Sequence, residues 1–438
     1  MGVILAIMVS YVCSYILFRE SRRSKTGIDL GFLLAAVISI SLSCLHIAYY
    51  IYYQDVNTIG WEIWKYPEGL RLITYLNVGY VVAFVIFHLL LKKFRYGFFE
   101  AKNRFYLPGN SNPLAKAIVV YIFTLAIALY LKISGKLYLW AYWLAVVDLA
   151  YYILLACFLS KIKKPSVMIA VTGIFACFLM FIYYPLFVEA VEEHYAVNKG
   201  GVALMLVFTI VYLNIARYKG KLITPLRLCV GSLLMPVFIG SANFAEALVT
   251  GSPVGITDFI IYVTQGYELR MYENQYLILT WLENGEMLPQ YGMSYLGALW
   301  DIVYPTSGVQ HPGQWLTEIT NIGQEGPQSG RNFSFVAEGI LNFGPYGVIF
   351  AALVSALVIY LIENFLNASR VYGPILYSIL AAAPYYIYRV DFSYVIKKIE
   401  FNVLGLIIIF FLYAFTSFLF RGAKGVRHKQ FTQQQEVA

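Results

Sequence analysis

Long apolar runs separated by short polar stretches dominate this chain. A helix crosses a bilayer with roughly 20 apolar residues. On that measure, eleven spans are expected: 2–18, 29–53, 73–91, 116–133, 138–160, 166–187, 201–216, 223–249, 336–362, 374–388 and 400–420. Two of them, 201–216 and 374–388, are short, and 223–249 contains Pro236 and Glu246. One stretch breaks the rhythm. Residues 250–335 form a long segment in which apolar pieces at 256–264, 271–282 and 294–304 are too short to span and suit helices at the membrane interface. Between 305 and 330 the segment turns rich in Pro, Gly and Gln (Pro305, Pro312, Gly313, Gly323, Gly326, Pro327, Gly330), which predicts loop. The expected organisation is an N-terminal bundle of eight spans (1–249), the large loop (250–335), a C-terminal bundle of three spans (336–420) and a polar tail (421–438). The fold class is all-α and polytopic.

Composition narrows the class. Of 438 residues, 60% are hydrophobic and only 13% charged, with a mean hydropathy of +0.67. A soluble domain carries about 25% charged residues. A soluble globular enzyme, a disordered chain and a fibrous repeat are excluded. The net charge of +8 would suggest nucleic acid in a soluble protein. Here the basic residues follow membrane topology instead. The alternate loops 19–28, 92–116, 161–165, 217–227, 363–373 and 421–438 hold 22 of the 32 Lys and Arg. This predicts an outer N-terminus, a cytoplasmic C-terminus and an outer face for 250–335. Basic residues follow the first span rather than precede it, which reads as an anchor and not a cleaved leader. The five cysteines all lie in apolar runs and suggest neither disulfides nor a metal site. No inverted or parallel repeat marks a transporter of the repeat-built kind.

Candidate chemistry gathers late in the chain. The long loop carries eight acids (Asp258, Glu268, Glu273, Glu283, Glu286, Asp301, Glu318, Glu325) against Arg270 and Arg331. Each Arg is either an ion-pair partner for these acids or a clamp for phosphate, which its planar fork binds through two hydrogen bonds. Tyr262, Tyr267, Tyr272, Tyr276, Trp281, Tyr291, Tyr295, Trp300, Tyr304 and Trp315 suit an interfacial aromatic belt or stacking on sugar or lipid. His311 is either inert in its loop or a proton acceptor. The densest stretch is Gly330–Gly347, GRNFSFVAEGILNFGPYG. Glu338 and Asn342 lie four apart and share a helical face. Gly339, Gly344 and Gly347 permit close backbone approach. An acid where a span begins is costly and a functional candidate, although a helix N-terminus also favours a carboxylate. The last outer loop holds Arg389, Asp391, Lys397 and Lys398, a basic content that suits an anionic ligand, with an Arg389–Asp391 ion pair as the alternative. There is no Walker motif, GxGxxG, HExxH or GxSxG in this sequence.

Taken together, many apolar spans, a large late outer loop, then Ser334, Glu338, Asn342, Phe343, Gly344 and Gly347 in SFVAEGILNFGPYG, and then Arg389-Val390-Asp391, resemble the Wzy-type polymerases of O-antigen and related bacterial polysaccharides. Tyr295, Gly297 and Pro305 resemble a preceding Tyr-x-Gly…Pro element of that family; Ile340 departs from the aromatic often found two residues after the Glu. The resemblance covers roughly 230–395 in detail. It implies a GT-C-like fold in the bacterial inner membrane, with the site facing the periplasm. It also implies a metal-independent, inverting glycosyl transfer. An undecaprenyl-diphosphate-linked glycan passes en bloc to an incoming lipid-linked repeat unit. Such an enzyme needs no cofactor, no metal and no nucleic acid, and works beside a flippase and a chain-length regulator. His311 and Glu338 are then the catalytic candidates. Arg270, Arg331 and Arg389 are the diphosphate clamp, and Tyr295, Trp300, Asn342 and Asp391 face sugar or acceptor. A ligase that moves the same glycans to another acceptor, and a flippase or other transporter of lipid-linked oligosaccharide, are the alternatives.

Overall fold

The computed structural model describes residues 2–21, 29–52, 67–98, 113–178, 194–218, 221–224, 270–304, 310–320, 333–368 and 372–436, with isolated positions between 226 and 259. Among them every regular element is helical. The helices are α1 (Gly2–Ser21), α2 (Leu30–Tyr52), α3 (Pro67–Phe98), α4 (Pro113–Ile133), α5 (Leu137–Lys161), α6 (Pro165–Phe178) and α7 (His194–Ala216). After these come α8 (Arg270–Glu283), α9 (Met293–Val303), α10 (Pro312–Thr320), α11 (Phe335–Phe343), a 3₁₀ turn (Gly344–Tyr346), α12 (Gly347–Ala368), α13 (Tyr372–Leu380), α14 (Ala383–Arg389) and α15 (Phe392–Glu436).

Seven described segments are long and apolar enough to cross a membrane: Gly2–Ser21, Leu30–Ile47, Pro67–Lys93, Leu114–Ile133, Trp143–Lys161, Phe335–Leu366 and Phe392–Thr416. Shorter apolar helices run over Ser166–Phe175 and Leu204–Ala216. The architecture is that of a polytopic helical membrane protein. Most of the expected span 223–249 and of the short helix 256–264 lies outside the described residues. Exposed Ile4, Leu5, Met8, Val12 and Ile16 on α1 are the lipid-facing counterpart of the buried Ser10, Ser14 and Leu17 on its inner face.

The sequence sets the helix starts. α3, α4, α6 and α10 open on a proline, whose missing N–H costs nothing in the first turn. Asp29 caps α2 by accepting from Phe32 N–H at 3.1 Å. Two expectations are corrected. The stretch 374–388 is not one span but two short helices, α13 and α14, separated by a turn at Ala381–Ala382 with Pro384 opening the second. The Pro- and Gly-rich 305–330 is not all loop, because Pro312 starts the nine-residue α10, and Trp315 from it packs edge-on against Trp281 of α8 at 6.3 Å.

The chain divides into two compact units. The first comprises 1–102, 218–367 and 380–397. In it α1, α2 and α3 pack on one another, α8 packs on α3 and α11, and α14 packs on α2 and α11. The Tyr80 hydroxyl on α3 donates to Ser355 of α12 at 2.6 Å, and Tyr388 of α14 bonds Ser41 of α2. The second unit comprises 103–217, 368–379 and 398–438. Its core is the α4–α5 pair with α6 and α7, filled by Tyr151, Phe175, Phe208 and Tyr212. Arg217 ties off α7 by donating to the carbonyls of Ile162 and, at 2.6 Å, Lys163.

Candidate functional site

The motif stretch folds as an interrupted helix. Ser334 caps α11, its hydroxyl accepting from Ala337 N–H at 3.2 Å. Gly344 ends α11 with a positive φ of 65°, and Pro345 forces the 3₁₀ turn before α12 begins. The turn folds α12 back so tightly that Gly339 and Gly347 touch backbone to backbone. A Cβ on Gly347 would overlap the Gly339 carbonyl, and one on Gly339 would sit 2.9 Å from Ala351 Cβ. No residue other than glycine fits either place.

This elbow presents Glu338 and Asn342 on one face, as their spacing requires, but toward protein. Both are fully buried. Glu338 Oε1 accepts from the Ser294 hydroxyl at 2.6 Å, and Oε2 accepts from Phe392 N–H at 2.7 Å. Asn342 donates to Ser294 Oγ at 2.7 Å and to the Glu338 carbonyl at 2.8 Å, while its Oδ1 accepts from Gly292 N–H at 2.9 Å. Gln290 and Tyr291 add backbone bonds to the Leu341 and Asn342 carbonyls at 3.1 and 2.9 Å. Gly292 has φ 87°, and a side chain there would press on Phe343. The segment 290–294 is thereby clamped to the end of α11, which fixes where α9 starts. Tyr295 is also inward, edge-on to Phe350 and Phe392, whereas Trp300 is exposed.

Asp391 anchors two helix starts at once. Its Oδ1 accepts from Tyr394 N–H at 3.0 Å and from the Ser393 hydroxyl at 2.7 Å, capping α15, while Oδ2 accepts from Gly313 N–H at 3.2 Å in the first turn of α10. With Glu338 on Phe392 N–H, two buried carboxyl groups accept from the free N–H groups at the start of α15. The same junction seats His311 immediately before α10. His311 Nε2 lies 2.9 Å from Lys397 Nζ and 3.3 Å from Asp301 Oδ2, and Lys397 also pairs with Asp301. A lysine ammonium only donates, so Nε2 accepts and the neutral ring carries its proton on Nδ1. Burial and then the Lys397 charge push the His311 pKa below the ordinary histidine value, against the pull of Asp391 and Asp301. The ring is therefore a neutral base near pH 7. It is also reachable: the His311 side chain is 15% exposed and Lys397 29%.

Of the expected site residues, His311, Glu338, Asn342, Tyr295 and Asp391 come together around the start of α15. Arg389, at the end of α14, stacks over the Tyr385 ring and donates to its hydroxyl at 2.5 Å. Arg331 and the Arg270 side chain lie outside the described residues. Sequence reasoning did not single out Lys397 as a partner of His311, nor Ser294 and Gln275 as polar supports. Gln275 links Asn77 of α3 to Ser334 through hydrogen bonds of 2.6 and 3.0 Å. The apolar-to-polar pattern could have marked Gln275, since it is polar on the buried face of α8. Elsewhere in this unit Asp29, His88 and Glu363 bring three metal-type ligand atoms within 4.8 Å of one another. No family of known proteins, no curated protein and no solved structure matches the chain.

Proposed function

We propose that the protein is a polysaccharide polymerase of the bacterial inner membrane. It moves an undecaprenyl-diphosphate-linked glycan en bloc onto the non-reducing sugar of an incoming lipid-linked repeat unit. The junction at the start of α15 faces the periplasm in this reading. A GT-C-like arrangement, and a flippase and chain-length regulator as working partners, belong to the same proposal. The observation that supports it is a reachable neutral histidine held beside an ammonium at 2.9 Å, next to the elbow made by SFVAEGILNFGPYG.

The chemistry divides among the residues as follows. The acceptor hydroxyl oxygen attacks the anomeric carbon from the face opposite the diphosphate. The new C–O bond forms as the old one breaks, the anomeric centre inverts, and undecaprenyl diphosphate departs with the bonding electrons. The hydroxyl proton passes to His311. A diphosphate is a good leaving group, so its need is for positive charge rather than for an acid. Lys397 supplies that charge, and its turn from His311 toward the phosphates frees the Nε2 lone pair to act as base. Arg270, Arg331 and Arg389 complete the clamp. Asp301 holds Lys397 and His311 in register before substrate arrives. Glu338, Asn342 and Asp391 position the elbow and the α15 start, and Trp300 offers an exposed ring to a sugar face.

The test uses purified protein with lipid-linked repeat units from its own pathway and no nucleotide sugar, with products separated on a gel. A ladder from wild type that Arg331→Ala abolishes is the expected result. A single added band with a foreign acceptor would make it a ligase. Unchanged units that nevertheless cross liposomes would make it a transporter and end the enzyme reading.

A further inference from the structure

We propose that Asp29, His88 and Glu363 form a binding site for one divalent transition-metal ion of the zinc class, which joins α2, α3 and α12. The site is independent of the polymerase reading and remote from its residues. Asp29 directly precedes α2, and Ser41, which bonds Tyr388 next to Arg389, lies twelve residues further along that helix, about 18 Å.

The donor set is oxygen, nitrogen, oxygen from the cap of α2 and from α3 and α12, all buried, with the ligand atoms within 4.8 Å of one another. Zinc bound to imidazole at about 2.0 Å and carboxylate at about 2.0 Å holds its ligands roughly 3.3 Å apart in a tetrahedron. His88 Nε2 and Asp29 Oδ1 already stand at 3.2 Å. The histidine is built in rather than incidental. Gly31 leaves the room the imidazole occupies, since a Cβ there would lie 2.5 Å from its Nε2, and Phe84 stacks on the ring at 5.4 Å. His88 Nδ1 is buried without a hydrogen-bond partner among the described residues. Nε2 is aimed at the Asp29 carboxylate while Nδ1 makes no bond among the described residues, so the ring can turn its Nε2 lone pair to a metal with the proton on Nδ1. Lys92 reaches the other oxygen of Asp29 and Phe32 N–H bonds Oδ1, which orient the carboxylate as outer partners commonly do. Two carboxylates brought to one point at the end of membrane-length helices are costly; Lys92 offsets part of that cost, and a divalent cation bound there offsets more. Three protein ligands leave one position for water.

The experiment measures metal in the purified, detergent-solubilised full chain by elemental analysis, and follows thermal unfolding before and after chelation and on adding zinc chloride or manganese chloride. About one ion per chain is expected in wild type. Chelation should lower the unfolding temperature and zinc chloride should restore it. His88→Ala and Glu363→Gln should each retain less than a tenth of the metal and lose the response to zinc. Should either variant fail to fold, the wild-type chelation and re-addition arm stands by itself. Wild type that contains no metal, and whose unfolding neither zinc nor manganese moves, would overturn the proposal and leave a closed polar cluster of Asp29, Lys92 and His88.

Discussion

Two clusters in the first unit use nearly the same residues to different ends. At the start of α15, His311 sits between Asp301 and Lys397; at the start of α2, His88 sits beside Asp29, with Lys92 on the same carboxylate. Each is an imidazole, an aspartate and an ammonium. They differ in access. His88 is 1% exposed, closed in by Gly31 and Phe84, while the His311 side chain is 15% exposed where three helix ends meet. In the proposed reading the sealed cluster holds helices together and the open one exchanges a proton with substrate. The same side chains thus acquire structure or chemistry from what covers them.

The comparison breaks most visibly if its two histidines are removed in turn. His311→Ala should lower turnover about 10²–10⁴-fold, the ordinary contribution of a general base, with little change in unfolding temperature. His88→Ala should do the reverse, lowering stability by about 3 kcal/mol while each folded molecule keeps its turnover. Gly347→Val comes next. Its Cβ meets the Gly339 carbonyl, so a loss of about 3 kcal/mol is expected in thermal unfolding, with activity falling alongside as the elbow opens.

Glu338→Gln is milder. One of the two donors, Ser294 Oγ or Phe392 N–H, then faces an amide NH₂ instead of an oxygen, at a cost of about 1–3 kcal/mol in chemical unfolding. A positioning role predicts that turnover falls in step with α15 alignment and that Glu338→Asp, too short to reach both donors, does not rescue it. The smallest effects concern pH. His311 must be neutral to act, so activity falls as pH drops through its lowered pKa, below the ordinary 6.5. Lys397→Met removes a charge that lowers that pKa, so the acid limb of the kcat/KM profile, which reports the free enzyme, should move to higher pH. Asp301→Asn should move it lower. The unfolded chain takes up the His311 proton first, so stability also declines as pH falls from about 6.5 toward the folded value.

Much of this architecture was legible from the pattern of apolar runs. The helices at 271–282 and 294–304 appear as α8 and α9 because each apolar stripe is bounded by polar turn residues. The Glu338–Asn342 face followed from helical spacing, and the close approach at Gly339 and Gly347 from their missing side chains, whereas Gly344 has open space around it and serves through its positive φ. What spacing does not carry is which way a face turns. Glu338 reads as an acid at membrane depth, yet its partners are Ser294 and Phe392, 44 and 54 residues away. The Lys397–His311 contact spans 86 residues, and Asp29 and His88 are 59 apart, so neither cluster leaves a local motif. α10 was hidden because its Pro312-Gly313 start reads as a turn. The proline is in fact a first-turn residue, and Asp391, contributed from across the junction, caps the glycine N–H.

The central claim is that the open cluster, and not the sealed one, carries the reaction. Purified wild type, His311→Ala and His88→Ala should be given identical lipid-linked repeat units, and ladder formation measured per folded molecule, with folding scored by thermal unfolding of the same samples. The account expects wild-type turnover per folded chain for His88→Ala at a lowered unfolding temperature, and a loss of at least about 100-fold for His311→Ala at an unchanged one. A His311→Ala protein that polymerises at the wild-type rate would contradict it.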